Sequence, residues 1–406
     1  MKIEQIDRKT VSENPALGAL KKAESVLLLQ GPVGPFFDRL AQWLLARQQR
    51  VNRIVFSGGD VHDCQAIQPI HFAGRLEEWS TFFVAQCVQL KVDVVVLFGQ
   101  SRVYHQQALQ AARRHGIEVI VVEEGYFRPG FLTMELGGVN GLSSTFERFS
   151  WSGKPEHISS ATDQHPFLSS TYFAAKHYAN MLLGHWQFPN YVHHRQRSPL
   201  FYFSYWMYSW FRKWIHLGFD LRMQKKLLQS NVPYYFVPLQ FEGDSQLKLF
   251  SSFSSVDEFL SKLIRSFSIH APKAAFLVLR EHPHGRGMGG YRAFILQIAK
   301  SFGVHSRIVY LVEGETPTLV KHAAGVITIN STVGVRALKS NVPLMVMGGA
   351  VYKKAGLVFE GELDEFWTKS LPAKQDIAEA FVLHLKNLTQ VPACGYATRD
   401  VPIDWQ

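Results

Sequence analysis

Val119-Ile-Val-Val-Glu-Glu-Gly-Tyr-Phe-Arg-Pro129 is the stretch from which the fold can be read. Four β-branched residues in a row predict a buried parallel strand, and the run stops at two adjacent carboxylates, a glycine, an arginine and a proline. Acids follow a core strand where its end meets water or a ligand. In open α/β sheets ligands sit in the crevice beyond the carboxyl ends of the strands, which puts Glu123, Glu124 and Arg128 where chemistry is usually found. The plainer alternative is that one Glu caps the following turn while the other pairs with Arg128.

The same pattern recurs upstream. Ser25-Val-Leu-Leu-Leu-Gln30 is an apolar strand, Gly31-Pro-Val-Gly-Pro-Phe-Phe37 a glycine turn, and Asp38–Ala46 has helical spacing. Gly31 and Gly34 allow the backbone to approach an acceptor closely, and equally satisfy the packing of a tight turn. Val51–Phe56 leads into Ser57-Gly-Gly-Asp60, and Val92–Phe98 leads into Gly99-Gln-Ser-Arg102, with helical patterns over Leu76–Leu90 and Val103–His115. Successive βα units predict a parallel, doubly wound sheet over residues 1–150.

Residues 151–230 differ in character. Ser198–Trp214 is dense in aromatic residues, and Arg195, Arg197, Arg212, Lys213, Arg222, Lys225 and Lys226 accompany it with Asp220 the opposing acid. Aromatic rings beside basic side chains suit the headgroup layer of an anionic bilayer; a helix packed on a neighbouring domain is the structural alternative. Stacking on nucleic-acid bases is disfavoured, because no RNA-binding signature accompanies the aromatics.

Over 231–385 a second α/β series follows, with strands at Tyr234–Leu239, Ala274–Arg280, Ile308–Val312, Gly325–Ile329 and Pro343–Met347. Its strand ends carry Gln240, Glu281-His-Pro-His-Gly-Arg-Gly287 and Asn330-Ser-Thr-Val-Gly334. Residues 386–406 show little periodicity and are expected to pack back across the first domain. The fold class is therefore α/β of GT-B type, two Rossmann-like domains facing across a cleft with an aromatic and basic helical linker.

Size and composition agree with two cores. A chain of 406 residues exceeds the roughly 250–300 at which single cores stop growing. A net charge of +10 points to an anionic partner. Cys64, Cys87 and Cys394 show no CxxC spacing, which argues against a zinc site or disulfide framework and for a reduced, cytoplasmic compartment. No signal peptide or spanning segment is expected from the sequence. A P-loop and HExxH are absent, and neither glycine turn is a GxGxxG with an acid at the ribose spacing.

The second domain has the residue types that hold an anionic leaving group. His282 can donate to phosphate oxygens, Pro283 stiffens its turn, Ser331 and Thr332 offer hydroxyls, and Arg280 and Arg286 add charge-assisted bonds. For each alone, a structural histidine or a plain N-cap is the simpler reading; together at adjacent strand ends they favour a site.

Gln30–Phe37, Glu123–Pro129 with Gly138-Val-Asn140, His282–Gly287, and Thr328–Gly334 with Gly361–Trp367 resemble, in that order, the bacterial capsule polysaccharide biosynthesis family of the KpsS/LipB type. The resemblance implies a retaining β-Kdo transferase using CMP-β-Kdo, with a lysophosphatidylglycerol or phosphatidylglycerol acceptor at the inner face of the cytoplasmic membrane, among other capsule-assembly proteins. It implies Glu124 as nucleophile within an acid-acid-glycine motif, with Glu123 open as the alternative since relatives carry Asp at the second position. His282, Ser331 and Thr332 would hold CMP, with Gln240 and Asn330 beside them. Arg128 or Arg102 could bind the Kdo carboxylate. No cofactor and no metal is expected, because no DxD motif stands at a strand end and a monophosphate donor has less need of one. A transferase with another nucleotide sugar, and a non-catalytic scaffold for capsule synthesis and export at the membrane, are the rival readings.

Overall fold

The computed structural model describes residues 9–11, 13–151, 166–193, 199–241, 247, 250–283, 285–288, 290–393 and 403–405. Arg195, Arg197 and Cys394 fall outside the described residues. The chain forms two compact units, residues 1–196 with 383–406, and residues 197–382.

The first unit is built on a seven-stranded sheet. Its strands are β2 (Ser25–Leu28), β3 (Arg50–Val55), β4 (Ile70–His71), β5 (Val94–Phe98), β6 (Glu118–Glu124), β7 (Phe131–Leu136) and β14 (Gln390–Pro392), in the order β14-β7-β6-β5-β2-β3-β4. A separate two-stranded pair joins β1 (Lys9–Val11) to β8 (Phe149–Trp151). The five strands β2 to β6 pair in parallel; β2, β3, β5 and β6 are those the sequence predicts, and the two-residue β4 is an addition it does not show. β7 and β14 depart from the expected all-parallel sheet. β7 runs antiparallel to β6, with Glu123 opposite Thr133 and Glu124 opposite Leu132, and β14 runs antiparallel to β7. A short turn from Gly125 to Gly130 leaves no room for the long crossover that a parallel neighbour needs.

Side chains alternate across this sheet and so build two cores. Val26, Leu28, Val94, Val96, Ile120 and Val122 join Phe36, Phe37 and Leu40 on one face. Leu27, Leu29, Val95, Leu97, Val119 and Val121 join Phe56, Trp79 and Tyr104 on the other. Each fully buried Val, Leu or Phe contributes about 1.5–3 kcal/mol of apolar transfer. Helix Val103–His115 ends on Gly116 at φ 67°, the left-handed conformation that glycine adopts without penalty.

The second unit carries β9 (Tyr234–Pro238), β10 (Phe276–Arg280), β11 (Ile308–Leu311), β12 (Gly325–Thr328) and β13 (Leu344–Val346), all parallel, in the order β11-β10-β9-β12-β13. Helix Val256–His270 covers one face through Phe259, Leu260, Leu263 and Phe267. Ser255 starts it, its hydroxyl accepting the Glu258 N–H at 3.1 Å.

The stretch read as a linker divides between the units. Helix Pro166–Leu183 belongs to the first, where it packs on the short helix Gly58–His62, and helix Pro199–Gln229 belongs to the second. The tail from Leu383 joins the first unit because β14 adds to its sheet. Strands β2 to β6 and β9 to β13 follow one order, strand 3-2-1-4-5 of each series, so each unit is Rossmann-like and the chain has the two domains of a GT-B fold.

Candidate active site

In each sheet the chain first adds strands to one side and then returns to add them to the other. The order reverses between β2 and β5 in the first unit, and between β9 and β12 in the second. The strands splay beyond such a point and leave a crevice. A hydrogen bond spans each reversal. In the first unit Arg102 donates from Nη1 to the Gly31 carbonyl at 2.9 Å. In the second, Gln240 donates from Nε2 to Asn330 Oδ1 at 2.7 Å, and both residues are buried.

Strand alternation separates the two acids of the first unit. Glu124 has the parity of Ile120 and Val122, and Glu123 that of Val119 and Val121, so they project from opposite faces of β6. Glu123 is half-buried, and its Oε1 accepts the Gln100 N–H at 3.1 Å, just past the end of β5. Glu124 is exposed and forms an ion pair with Arg128, which is equally exposed. The pairing of one Glu with Arg128 raised by the sequence is present at Glu124, and the N–H that Glu123 accepts comes from the turn after β5. An exposed pair of this kind is held weakly, by 0 to about 1 kcal/mol, so either partner can be released to a ligand.

The loop beyond these acids is anchored from beneath. Tyr126 N–H donates to Gln390 Oε1 at 2.9 Å, and Tyr126 Oη donates to Glu135 Oε1 at 2.9 Å while accepting the Asn140 N–H at 2.6 Å. Glu135 is fully buried on β7, and its other oxygen accepts from the hydroxyls of Ser143 and Thr145. Burial pushes its carboxyl up to about 7, against the opposing pull of those hydroxyl donors. The sequence reading missed this carboxylate, because Phe131-Leu-Thr-Met-Glu-Leu136 carries no turn or strand-end signal around it.

Gly31 and Gly34 face side chains. A Cβ at Gly31 would lie 2.8 Å from the Phe37 ring, and one at Gly34, whose φ is 100°, 3.1 Å from the Phe173 ring. Gly34 N–H donates to Asp63 Oδ2 at 3.0 Å, and the same oxygen lies 2.8 Å from His177 Nδ1. Packing within the unit is what requires these glycines. Gln30, just past the end of β2, donates to Asp60 at 2.9 Å and to Tyr191 Oη at 2.9 Å. His105 is buried with Nδ1 2.8 Å from the Gly99 carbonyl, and desolvation, with Arg102 nearby, lowers its pKa to about 3, so it is neutral.

In the second unit Gln240, His282, Pro283, Asn330, Ser331 and Thr332 all lie just past the carboxyl ends of β9, β10 and β12, adjacent strands of the sheet. His282 stacks on Phe241, ring centroids 5.5 Å apart at 28°. Ser331 Oγ accepts the Val333 N–H at 3.3 Å in a local turn, but the N-cap position of helix Val333–Lys339 falls on Thr332, so Ser331 is not the plain N-cap the sequence offered; Tyr352 Oη donates to its carbonyl. Arg286 is turned away from solvent, Nε donating to the Pro283 carbonyl at 3.1 Å and Nη1 pairing with Glu313. Arg280 is largely desolvated, which lowers its pKa, and its Nε is buried with no partner among the described residues. Among the described residues no cluster of three His, Cys, Asp or Glu side chains is arranged to hold a metal ion.

Residues 93–396 match the family model described as capsule polysaccharide biosynthesis protein, three quarters of the chain. The chain belongs to the capsule polysaccharide biosynthesis family. It is 33% identical to capsule polysaccharide export protein KpsS of Escherichia coli over 391 residues, 94% of this chain and 99% of that one. It is 31% identical to capsule polysaccharide modification protein LipB of Neisseria meningitidis serogroup B over 401 residues, 96% of each. Among solved structures, the beta Kdo 2,7 transferase KpsC of Thermosulfurimonas dismutans aligns over 88% of this chain and 90% of its own at 14% identity and a TM-score of 0.42.

Proposed function

We propose that the protein is a retaining glycosyltransferase that moves Kdo from CMP-β-Kdo to a lysophosphatidylglycerol or phosphatidylglycerol acceptor, at the inner face of the cytoplasmic membrane, to start the linker of a capsular polysaccharide. One observation carries the reading. Carboxylates stand at the end of β6, one strand out from the order reversal of one Rossmann-like unit, and a phosphate-type donor set stands at the reversal of the other. Membership of the capsule family supplies the biological setting.

In this mechanism a carboxylate oxygen of Glu124 attacks the anomeric carbon of Kdo. The bond from that carbon to the phosphate oxygen breaks, and its electron pair leaves with CMP. His282, Ser331, Thr332 and Arg280 stabilise the departing phosphate, so that no general acid is required. Arg128, released from Glu124, binds the Kdo carboxylate and leaves the nucleophile unpaired. The acceptor hydroxyl then attacks the same carbon, loses its proton to solvent and restores the Glu124 carboxylate. Two displacements return the original anomeric configuration. Glu123, on the opposite face of the strand, is the alternative nucleophile.

The test is mass spectrometry of a fluorescent phosphatidylglycerol incubated with the protein and freshly generated CMP-Kdo, with Glu124→Gln alongside. A mass gain of one Kdo with wild type and none with the variant is expected. No product with any phospholipid acceptor would overturn the reading and favour another nucleotide sugar or a scaffold.

A further inference from the structure

Helix Pro199–Gln229 is built with its polarity inverted. Its buried residues, Tyr205, Ser209, Arg212, Asp220, Gln224 and Leu227, recur at helical spacing and define one inward face. Three of them are locked by hydrogen bonds to strand ends of the second unit. Arg212 grips Glu281 through both guanidinium nitrogens at 3.0 Å. Asp220 Oδ2 accepts the N–H groups of Val312 and Glu313 at 2.8 and 2.9 Å, and Gln224 Oε1 accepts that of Glu315 at 2.9 Å.

The outward face is apolar. Trp206, Trp210, Phe211, Trp214, Ile215 and Phe219 are each between 50% and 60% exposed. Their direction is fixed by the inward bonds. Rolling the helix to hide the aromatics would strip Glu281, at 0% exposure, of its cation and leave two buried N–H groups without their acceptor. An aromatic surface of this size, held open by a polar spine, calls for an apolar partner.

Charge identifies that partner. Asp220 is the single acid of the helix, and it is buried, whereas Arg222, Lys225 and Lys226 are exposed on the turns that follow the aromatics. The outward side is therefore aromatic and then basic, with no acid. The 14 residues Trp206–Phe219 fall short of the ~20 needed to cross a bilayer, and no helix among the described residues is long and apolar enough to do so. Indole rings settle at the headgroup boundary, and lysines beside them meet lipid phosphates.

We infer that this helix lies flat in the surface of an anionic phospholipid bilayer, Trp206, Trp210 and Trp214 inserted and Arg222, Lys225 and Lys226 on the headgroups. Docking holds whatever sugar the protein transfers; that the docked protein then meets its acceptor there rests on the transferase reading. Arg212 joins this helix to Glu281, the residue before His282, and so ties the membrane-bound element to the donor-side strand end.

Sedimentation with sucrose-loaded vesicles tests this without reference to activity. Wild type should partition onto phosphatidylglycerol/phosphatidylcholine vesicles and at least tenfold less onto phosphatidylcholine alone. Trp206→Ser/Trp210→Ser/Trp214→Ser should lose at least tenfold on the mixed vesicles. Lys225→Glu/Lys226→Glu should lose a similar factor there, on the order of what two basic residues contribute at an anionic surface. Thermal midpoints of both variants should match wild type, since the altered side chains are exposed. Vesicles with brominated acyl chains provide a second measurement on unaltered protein, whose tryptophan emission should be quenched. A folded triple variant that partitions like wild type, or wild-type emission that brominated lipid leaves unquenched, overturns the inference. So does a dimer that the tryptophan changes dissolve while no form binds vesicles. Failure of Kdo transfer with vesicle binding intact would count against the transferase reading alone.

Discussion

Arg212 and Glu281 meet in a bidentate pair, Nη1 to Oε1 and Nη2 to Oε2 both at 3.0 Å, with the carboxylate wholly removed from solvent. Tyr310 Oη adds a third donor to the same carboxylate at 2.7 Å. The pair fastens a helix to the end of the strand that bears His282. Breaking one side of a buried pair leaves the other charge unpaired, which costs about 3–5 kcal/mol. Arg212→Ala should therefore lower the urea midpoint of the second unit markedly, whereas Arg212→Met/Glu281→Leu should recover much of the loss because no charge is stranded. Equal midpoints for Arg212→Ala and wild type would show that the pair does not hold the helix.

Glu135 sets a pH dependence whose sign follows from its burial. Its folded pKa of about 7 exceeds the ordinary carboxylate value of 4.5. The folded state therefore keeps a proton that the unfolded state releases, and the stability contributed by this group is present below pH 4.5 and lost as pH rises to about 7. The shift corresponds to roughly 3 kcal/mol across that window. Glu135→Gln, which keeps the shape and cannot ionise, should flatten this component. Urea midpoints of wild type and variant at pH 4.5 and pH 8 give the comparison, and parallel pH profiles for the two would refute it.

These two relationships mark the limit of what the sequence discloses. The strand ends were legible because β-branched runs such as Val119–Val122 and Val94–Val96 have to be buried, and an abrupt change to Glu, Gly or Asn signals the sheet edge. Glu123, His282 and Asn330 were found in this way. Arg212 and Glu281 lie 69 positions apart, and nothing local to either announces the other. The helix bearing Arg212 also misleads a reader of periodicity, since the usual rule sends the aromatic stripe inward, and here hydrogen-bonding groups occupy that face. The direction of β7 escaped for a different reason: six buried residues in a row carry no mark of which way the strand runs. Gly31 and Gly34 were visible as glycines, but only the positions of Phe37 and Phe173 reveal what approaches them.

The donor set should be measurable through CMP alone. If His282 holds the donor phosphate as proposed, His282→Ala should cost one charge-assisted hydrogen bond, about 1.5–3 kcal/mol, and weaken CMP binding on the order of tenfold to a hundredfold. Asn330→Ala leaves Gln240 without the acceptor it meets at 2.7 Å and should weaken CMP by a similar factor. Titration calorimetry with CMP, with UMP as the comparison, checks both. Stronger binding of UMP than of CMP would point to a different nucleotide sugar.

The two acids can be told apart by combining rate with stability. The Glu124 carboxylate is exposed and pairs with a neighbouring exposed arginine, so Glu124→Gln should leave the thermal midpoint nearly unchanged, within about 0.5 kcal/mol, and still abolish transfer. Glu123 accepts a backbone N–H from the turn after β5, so Glu123→Gln should disturb that turn and lower stability by about 1 kcal/mol, whatever its effect on rate. Arg128→Ala frees Glu124 while removing the candidate carboxylate anchor. It should raise KM for CMP-Kdo more than it lowers kcat, because the anchor binds ground state and transition state alike. Loss of transfer in Glu123→Gln with full activity in Glu124→Gln would move the nucleophile to the other face of β6.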